Sequence, residues 1–482
     1  AQILAIAPAM LRDKTKGCYP APEAIMAAAV EGAQVDVDTA LTIESRYFTY
    51  LATGQVAKNM IGTFWHGLNA IKAGASRPKD VAKWQASKVG VLGAGMMGAG
   101  IAYSTASKGI AVVLKDVSVE NAEKGKAYSQ KLLDKKVYQG RMTAEKRDQI
   151  LSLITATTNA EDLKGCDLII EAVFENQELK AKVTQEAEAF LADGGVFASN
   201  TSTLPITGLA KASKDDKNFI GLHFFSPVDK MPLVEIIKGQ NTSAETLAKA
   251  YDYVQQIGKT PIVVNDSRGF FTSRVFGTFV NEGLRLLAEG VHPARIEMAA
   301  LKAGMPVGPL AIQDEVALTL SEHVTNETRK ALQAEGKDLP HSPSEDVLKT
   351  MIHEFNRKGK AAGSGFYDYP EGGKKHLWDG LSHWKKDVDI SEQEMIDRIL
   401  FVQSLDTLRC YEENVLESVV DANIGSIFGI GFAPWTGGAI QFLNQYGLDK
   451  ALARANALEA KYGERFKAPQ LLKDKVASGK ID

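Results

Sequence analysis

The sequence predicts an α/β fold: a doubly wound, mainly parallel sheet, preceded by a short helical segment and followed by two copies of one all-helical domain. Three observations lead there. Short β-branched runs alternate with amphipathic stretches between residues 88 and 266, as βαβ units require. From about residue 267 the pattern is helical to the end. Within that half, a stretch beginning at Arg274 repeats from Arg398.

Residues 1 to about 85 are Ala-rich, and over 39–73 apolar residues fall at three- and four-residue spacing. GASRPKD (74–80) carries Gly, Ser and Pro and reads as a linker. Strand-like runs follow at KVGVLGAG (88–95), AVVLKD (111–116), SLITATT (152–158) and DLIIEAV (167–173). GVFASN (195–200), FIGLHFF (219–225), LVEIIK (233–238) and PIVVND (261–266) continue the series. In the helical half, RVFGTFVNEGLRLLAEGVHPARIE aligns with RILFVQSLDTLRCYEENVLESVVD. Arg274/Arg398, Leu284/Leu408, Arg285/Arg409, Glu289/Glu413 and Val291/Val415 match in register. VGPLAIQ (307–313) faces TGGAIQF (436–442), and GKAAGSGFYDYPEGGKK (359–375) is a Gly-rich crossover between the copies. The expected divisions are therefore 1–85, 86–266, 267–375 and 376–482.

A chain of 482 residues suggests several domains of ordinary size. A net charge of -3 gives no sign of nucleic acid or an anionic membrane as partner. Cys18, Cys166 and Cys410 are too few and scattered for a disulfide framework or a metal site, which fits a reducing, cytoplasmic compartment. No run reaches the roughly 18 apolar residues of a membrane span. AQILAIAPAML lacks the basic start of a signal peptide, and a beginning without Met inside helical sequence suggests a piece of a longer protein.

GAGMMG is G-x-G-x-x-G at Gly93, Gly95 and Gly98. It follows a strand directly and opens a helix, and Asp116 ends the next strand, 18 residues beyond Gly98. That is the setting of a Rossmann-type dinucleotide fingerprint. Gly93 permits the tight turn, Gly95 lets backbone approach a pyrophosphate at the helix N-terminus, and Gly98 lets helix and strand pack closely. Asp116 suits ribose hydroxyls and repels a 2′-phosphate, so NAD is favoured over NADP. A Gly-rich turn without ligand is the plainer reading, and FAD is an alternative with no second flavin signature.

GLHFFSPVDKMPLVEII (221–237) places His223 and Glu235 on two strand-like runs joined by a Pro-bounded loop. A strand-end His by itself is more often structural than catalytic. A Glu in an apolar strand, however, costs free energy if it is buried without a partner. An imidazole would relieve that cost, and the carboxylate would fix its tautomer and leave the other ring nitrogen to take a proton. Ser202, in SNTST (199–203), also follows a strand and is a third candidate for the same substrate oxygen.

Together GAGMMGAGIA, EAVFEN, SNTST, GLHFFSP, LVEII and GFFTSR resemble 3-hydroxyacyl-CoA dehydrogenase, in the long form found in the bacterial fatty-acid oxidation complex. The resemblance runs over essentially the whole chain. It implies that residues 1–80 are the last helices of an enoyl-CoA hydratase (crotonase) domain, and it places the catalytic His on His223, its partner on Glu235 and the hydroxyl-binding Ser on Ser202. NAD contacts fall on Gly93, Gly95, Met97, Gly98, Asp116, Ala172, Glu175, Lys180 and Asn200. Coenzyme A contacts fall on Ser129 and Lys136 of the helical hairpin after Asp116, where a solvated Lys-rich face is the alternative. Many single-function relatives carry Asn where this chain has Ser273, a shorter side chain with one donor. The resemblance implies NAD-dependent oxidation of an L-3-hydroxyacyl-CoA, no metal, and an oligomer with a thiolase β-subunit. Residues 1–80 are too short to supply hydratase chemistry. The alternatives are a scaffold whose helical repeats dock a partner, and a β-hydroxyacid dehydrogenase of another kind, which would use a Lys.

Overall fold

The computed structural model describes residues 2–482. They form two compact units, one of Phe64–Arg274 with Cys410–Ile430, the other of the chain up to Thr63 with Val275–Arg409 and Gly431–Asp482.

The first unit is built on a sheet with, among the described residues, eight strands: β1 Lys88–Leu92, β2 Ala111–Lys115, β3 Ile154–Thr157, β4 Cys166–Glu171, β5 Leu191–Ser199, β6 Phe219–Phe224, β7 Leu233–Lys238 and β8 Thr260–Asn265. Each falls on one of the β-branched runs read from the sequence. Their order is β3-β2-β1-β4-β5-β6-β7-β8. Only β6 and β7 pair antiparallel; the others run parallel, as strands covered by crossover helices on both faces do. The order reverses between β1 and β4, so a crevice opens beyond their carboxyl ends, where such sheets bind ligands.

Two features of this unit have no signal in the sequence. The stretch expected as a linker is pinned: Arg77 is buried and donates to Asp252 through Nε and Nη2, 2.8 Å each. The helix Val419–Ile430, from the second helical copy, packs on β7 and β8. Its VVDANIGSIFGI is apolar nearly all round, so it is stable only when covered on several sides. A Cβ on its Gly425 would stand 2.6 Å from Ile262.

That helix also carries Asp421, which accepts from Ser76 Oγ at 2.6 Å and from Val263 N at 3.2 Å. Burial pushes its carboxyl up to about 6 from 3.8. A folded-state value above the unfolded one means the protonated form contributes fully below 3.8, and the contribution is lost as pH rises through about 6. Asp421→Asn is therefore expected to gain about 2–3 kcal/mol relative to the parent chain between pH 4 and 7, read from denaturant titrations at several pH values.

The second unit is helical apart from a short antiparallel strand pair, Tyr367–Asp368 with His376–Leu377, in the Gly-rich crossover and just after it. Pro309–Val316 followed by Leu318–Ala334 recurs as Ala439–Tyr446 followed by Leu448–Tyr462. Arg398, fully buried, bonds Glu289 at 2.6 and 2.8 Å and Glu282 at 2.6 Å. In the first unit its repeat-mate Arg274 bonds Glu413, the repeat-mate of Glu289, at 2.5 and 3.0 Å. The Arg of each copy thus holds the Glu of the other, which explains why both residue types recur in register. The Trp435–Gly438 turn anchors the N-terminal helices: Gly437 O accepts from Thr63 Oγ1 at 2.5 Å and Trp435 O from Asn59 Nδ2 at 3.2 Å.

Candidate active site

The glycine loop leaves β1 and enters the helix Met96–Ala106. Gly93 has φ +94°, and a Cβ there would meet Ala172 O at 2.7 Å. A Cβ on Gly98 would collide with Gly93 O, so helix and turn pack only with glycine at both. Gly95 differs: nothing lies within 4 Å of its missing Cβ. Protein packing does not demand glycine there, and the face it leaves bare is the N-terminus of an 11-residue helix with no side-chain cap. Asp116 lies beside the loop, accepting from Ala94 N at 2.6 Å and Val117 N at 2.7 Å. Gly93, Gly95, Asp116, Val117, Ala172 and Phe174 face one cleft. Bare backbone donors for a pyrophosphate, a carboxylate for ribose and an apolar wall for adenine fit a dinucleotide. Met97 is half-buried in the first turn of the same helix.

At the end of β4 lies a buried network that sequence reasoning saw only in part. Lys180, 2% exposed, donates to Glu171 at 2.7 Å and pairs with Glu175 at 3.2 Å. Glu171 also accepts from Ser199 Oγ at 2.7 Å. Glu175 accepts from Thr201 Oγ1 at 2.5 Å and from Ser202 N at 3.2 Å, so it holds the SNTST loop. Burial pushes Glu175 up, but the Lys180 ammonium and these donors outweigh it and leave the carboxyl below its usual range. Glu171, in EAVFEN, was missed because an acidic strand end gives no sign of its partner. Lys180→Met should destabilise the fold by about 3–5 kcal/mol by chemical denaturation, with partial recovery in Lys180→Met/Glu171→Gln.

The candidate acid–base pair lies on the β6–β7 hairpin. His223 and Glu235 are direct cross-strand partners. His223 Nδ1 stands 2.8 Å from Glu235 Oε2. His223 is 7% exposed and Glu235 0%. The buried carboxylate is fully satisfied: Oε1 accepts from Phe271 N and Thr272 N at 3.0 Å each, and Oε2 also accepts from Thr272 Oγ1 at 2.5 Å. Those amides begin the helix Thr272–Glu289, whose N-terminal dipole favours the negative charge. Phe270, buried with φ +51°, makes the turn that delivers them, a strained conformation for an aromatic residue. Phe225 flanks the imidazole, with ring centroids 4.5 Å apart.

In GFFTSR nothing local marks Thr272 as a donor to a buried carboxylate; its neighbour Ser273 is half-buried. Asn200 Oδ1 accepts from Phe224 N at 2.9 Å and fastens the strand end that carries His223. Ser202 is half-buried. Ser129 and Lys136 lie on the helix Val119–Tyr138. Ser129 Oγ is buried without a hydrogen-bond partner, and Lys136 Nζ sits 5.4 Å from the Tyr103 ring centroid. From the same helix, Tyr128 donates to Asp229 at 2.8 Å, on the loop between His223 and Glu235.

Two family models match the chain: the 3-hydroxyacyl-CoA dehydrogenase NAD binding domain over residues 88–267, and the C-terminal domain of the same family over 269–369. The crystal structure of (S)-3-hydroxybutyryl-CoA dehydrogenase PaaH1 from Ralstonia eutropha is 33% identical, with 59% of this chain covering 100% of that one at a TM-score of 0.55. The chain belongs to the 3-hydroxyacyl-CoA dehydrogenase family. Its dinucleotide is accordingly NAD. The chain is also 36% identical over 485 residues to the fatty acid oxidation complex subunit alpha of Shewanella amazonensis, covering 97% of this chain and 66% of that protein. For the corresponding Shewanella halifaxensis protein the identity is 36% and the share of its length 65%, so the chain spans just under two thirds of these curated relatives. The 3-hydroxybutyryl-CoA dehydrogenase of Escherichia coli K12 shares the fold at a TM-score of 0.70 and 24% identity, over 82% of this chain and 99% of that one. No helix among the described residues is long and apolar enough to cross a membrane.

Proposed function

We propose that this chain oxidises an L-3-hydroxyacyl-CoA to the 3-ketoacyl-CoA. The observation that carries the reading is the 2.8 Å contact between His223 Nδ1 and Glu235 Oε2. With Nδ1–H donated to the carboxylate, Nε2 presents its lone pair and takes the C3 hydroxyl proton. NAD, when bound, supplies the acceptor for the hydride that leaves C3. Glu235 orients the ring and stabilises the imidazolium as it forms, its own charge held by Phe271 N, Thr272 N and Thr272 Oγ1. Ser202 holds the reacting oxygen and Lys136 the coenzyme A end, whereas Ser129, with its Oγ fully buried, is closed to a ligand. In the reverse direction His223 returns its proton to the reduced ketone. Lys180 serves the cofactor side through Glu175 and the SNTST loop, since its ammonium is committed to Glu171 and Glu175.

The test is NADH oxidation with acetoacetyl-CoA against free acetoacetate. Turnover of the thioester alone supports the reading. Turnover of both favours another β-hydroxyacid dehydrogenase, and turnover of neither favours a docking role. Residues 1–80 are too short to hold a hydratase domain by themselves, so the 482-residue chain tested alone is not expected to hydrate crotonyl-CoA. The curated relatives are named as the alpha subunit of a complex, and association of this chain with a thiolase β-subunit is checked by co-purification with a candidate partner.

A further inference from the structure

Lys115 and Glu186 form an ion pair of 3.1 Å that faces the same cleft as Asp116. Lys115 is the last residue of β2, immediately before Asp116, and its side chain is 17% exposed. Glu186 is in the last turn of the helix Gln177–Ala187, and its side chain is 46% exposed. An ion pair this open to water contributes little to folding stability. Its position matters more than its strength. A lysine beside the carboxylate that takes the ribose is what a 2′-phosphate would seek, and Glu186 occupies it.

We propose that Glu186 is a second specificity determinant of the NAD cleft: it sequesters Lys115 and, together with Asp116, rejects the 2′-phosphate of NADP. The inference rests on the assignment of this cleft to the adenosine end of NAD. As the cleft stands, Asp116 and Glu186 contribute two negative charges against one positive charge on Lys115. A 2′-phosphate entering there meets a net negative wall, and the cation lining the cleft among the described residues, Lys115, is already paired. NAD carries no charge at that hydroxyl and is indifferent to the pair. Removing the Glu186 charge frees the Lys115 ammonium and makes the local balance neutral. The gain should fall at high ionic strength, because the groups are partly solvated.

The test is equilibrium binding of NADH and NADPH to the full chain, followed by nicotinamide fluorescence, in the parent, Glu186→Gln, and Lys115→Gln/Glu186→Gln. Glu186→Gln is expected to tighten NADPH binding about tenfold, the size of one charge at a partly solvated site, and to leave NADH within about twofold. The double variant should lose the gain, because the freed cation is gone. Unchanged NADPH affinity in Glu186→Gln, with NADH still binding, overturns the proposal alone. So does a gain that persists without Lys115. A parent chain that binds no NADH overturns the cleft assignment and the proposal with it.

Discussion

His223→Gln is expected to lower turnover of acetoacetyl-CoA by about 10²–10⁴-fold while leaving NADH affinity within about twofold. Glutamine is the informative replacement. Its amide N–H can still donate to Glu235 Oε2, so the 0% exposed carboxylate keeps a donor in place of the imidazole and the hairpin is preserved. What glutamine lacks is a nitrogen that can take and return a proton. The glycine loop and Asp116 follow other strands, β1 and β2, and keep their geometry. Single-turnover measurements on a variant with an unchanged melting curve read the loss directly, and near-parental turnover would remove His223 from the mechanism.

Glu235→Gln is expected to lose a comparable 10²–10⁴-fold in turnover and, unlike the first variant, to destabilise the fold by about 2–4 kcal/mol. The reason is donor arithmetic. Glu235 accepts from Phe271 N, Thr272 N, Thr272 Oγ1 and His223 Nδ1, and has no acceptor partner. An amide must turn its two N–H donors toward one side of this set. Facing Phe271 and Thr272, it sets donor against donor. Facing His223, it forces Nδ1 to accept, which moves the ring proton to Nε2 and leaves no lone pair for the substrate hydroxyl, an error of tautomer that costs about 10⁴ in a catalytic triad. Because base and orienting carboxylate act as one unit, His223→Gln/Glu235→Gln should be little slower than either single variant. Fully additive losses in that cycle would mean the two residues serve separate steps.

The same contrast separates what was legible from what was not. His223 and Glu235 lie twelve residues apart on two apolar runs with a Pro-bounded loop between them. A hairpin closes such a spacing, so the pair could be read locally. The parts played by Gly93 and Gly98 were readable too, because a turn and the helix it opens are neighbours in sequence. Thr272 and Phe271 reach Glu235 from 37 and 36 residues away, and neither residue type announces a donor to a buried carboxylate. The Lys115–Glu186 pair was invisible for a similar reason, an ordinary lysine and an ordinary glutamate on different elements.

The sequence by itself determined the strand series, the glycine turn, the helical repeat and the His223–Glu235 hairpin, because periodicity and turn chemistry act over a few residues. Only tertiary structure decided which distant groups neutralise buried charge. Asp252 reaches across 175 residues to bury Arg77 in a supposed linker. Val419–Ile430 leaves its repeat to cover β7 and β8, because an all-round apolar helix must be enclosed and the sheet face encloses it. Buried charge and apolar surface must find partners wherever the chain brings them, and the local pattern of residues records the need without naming the partner.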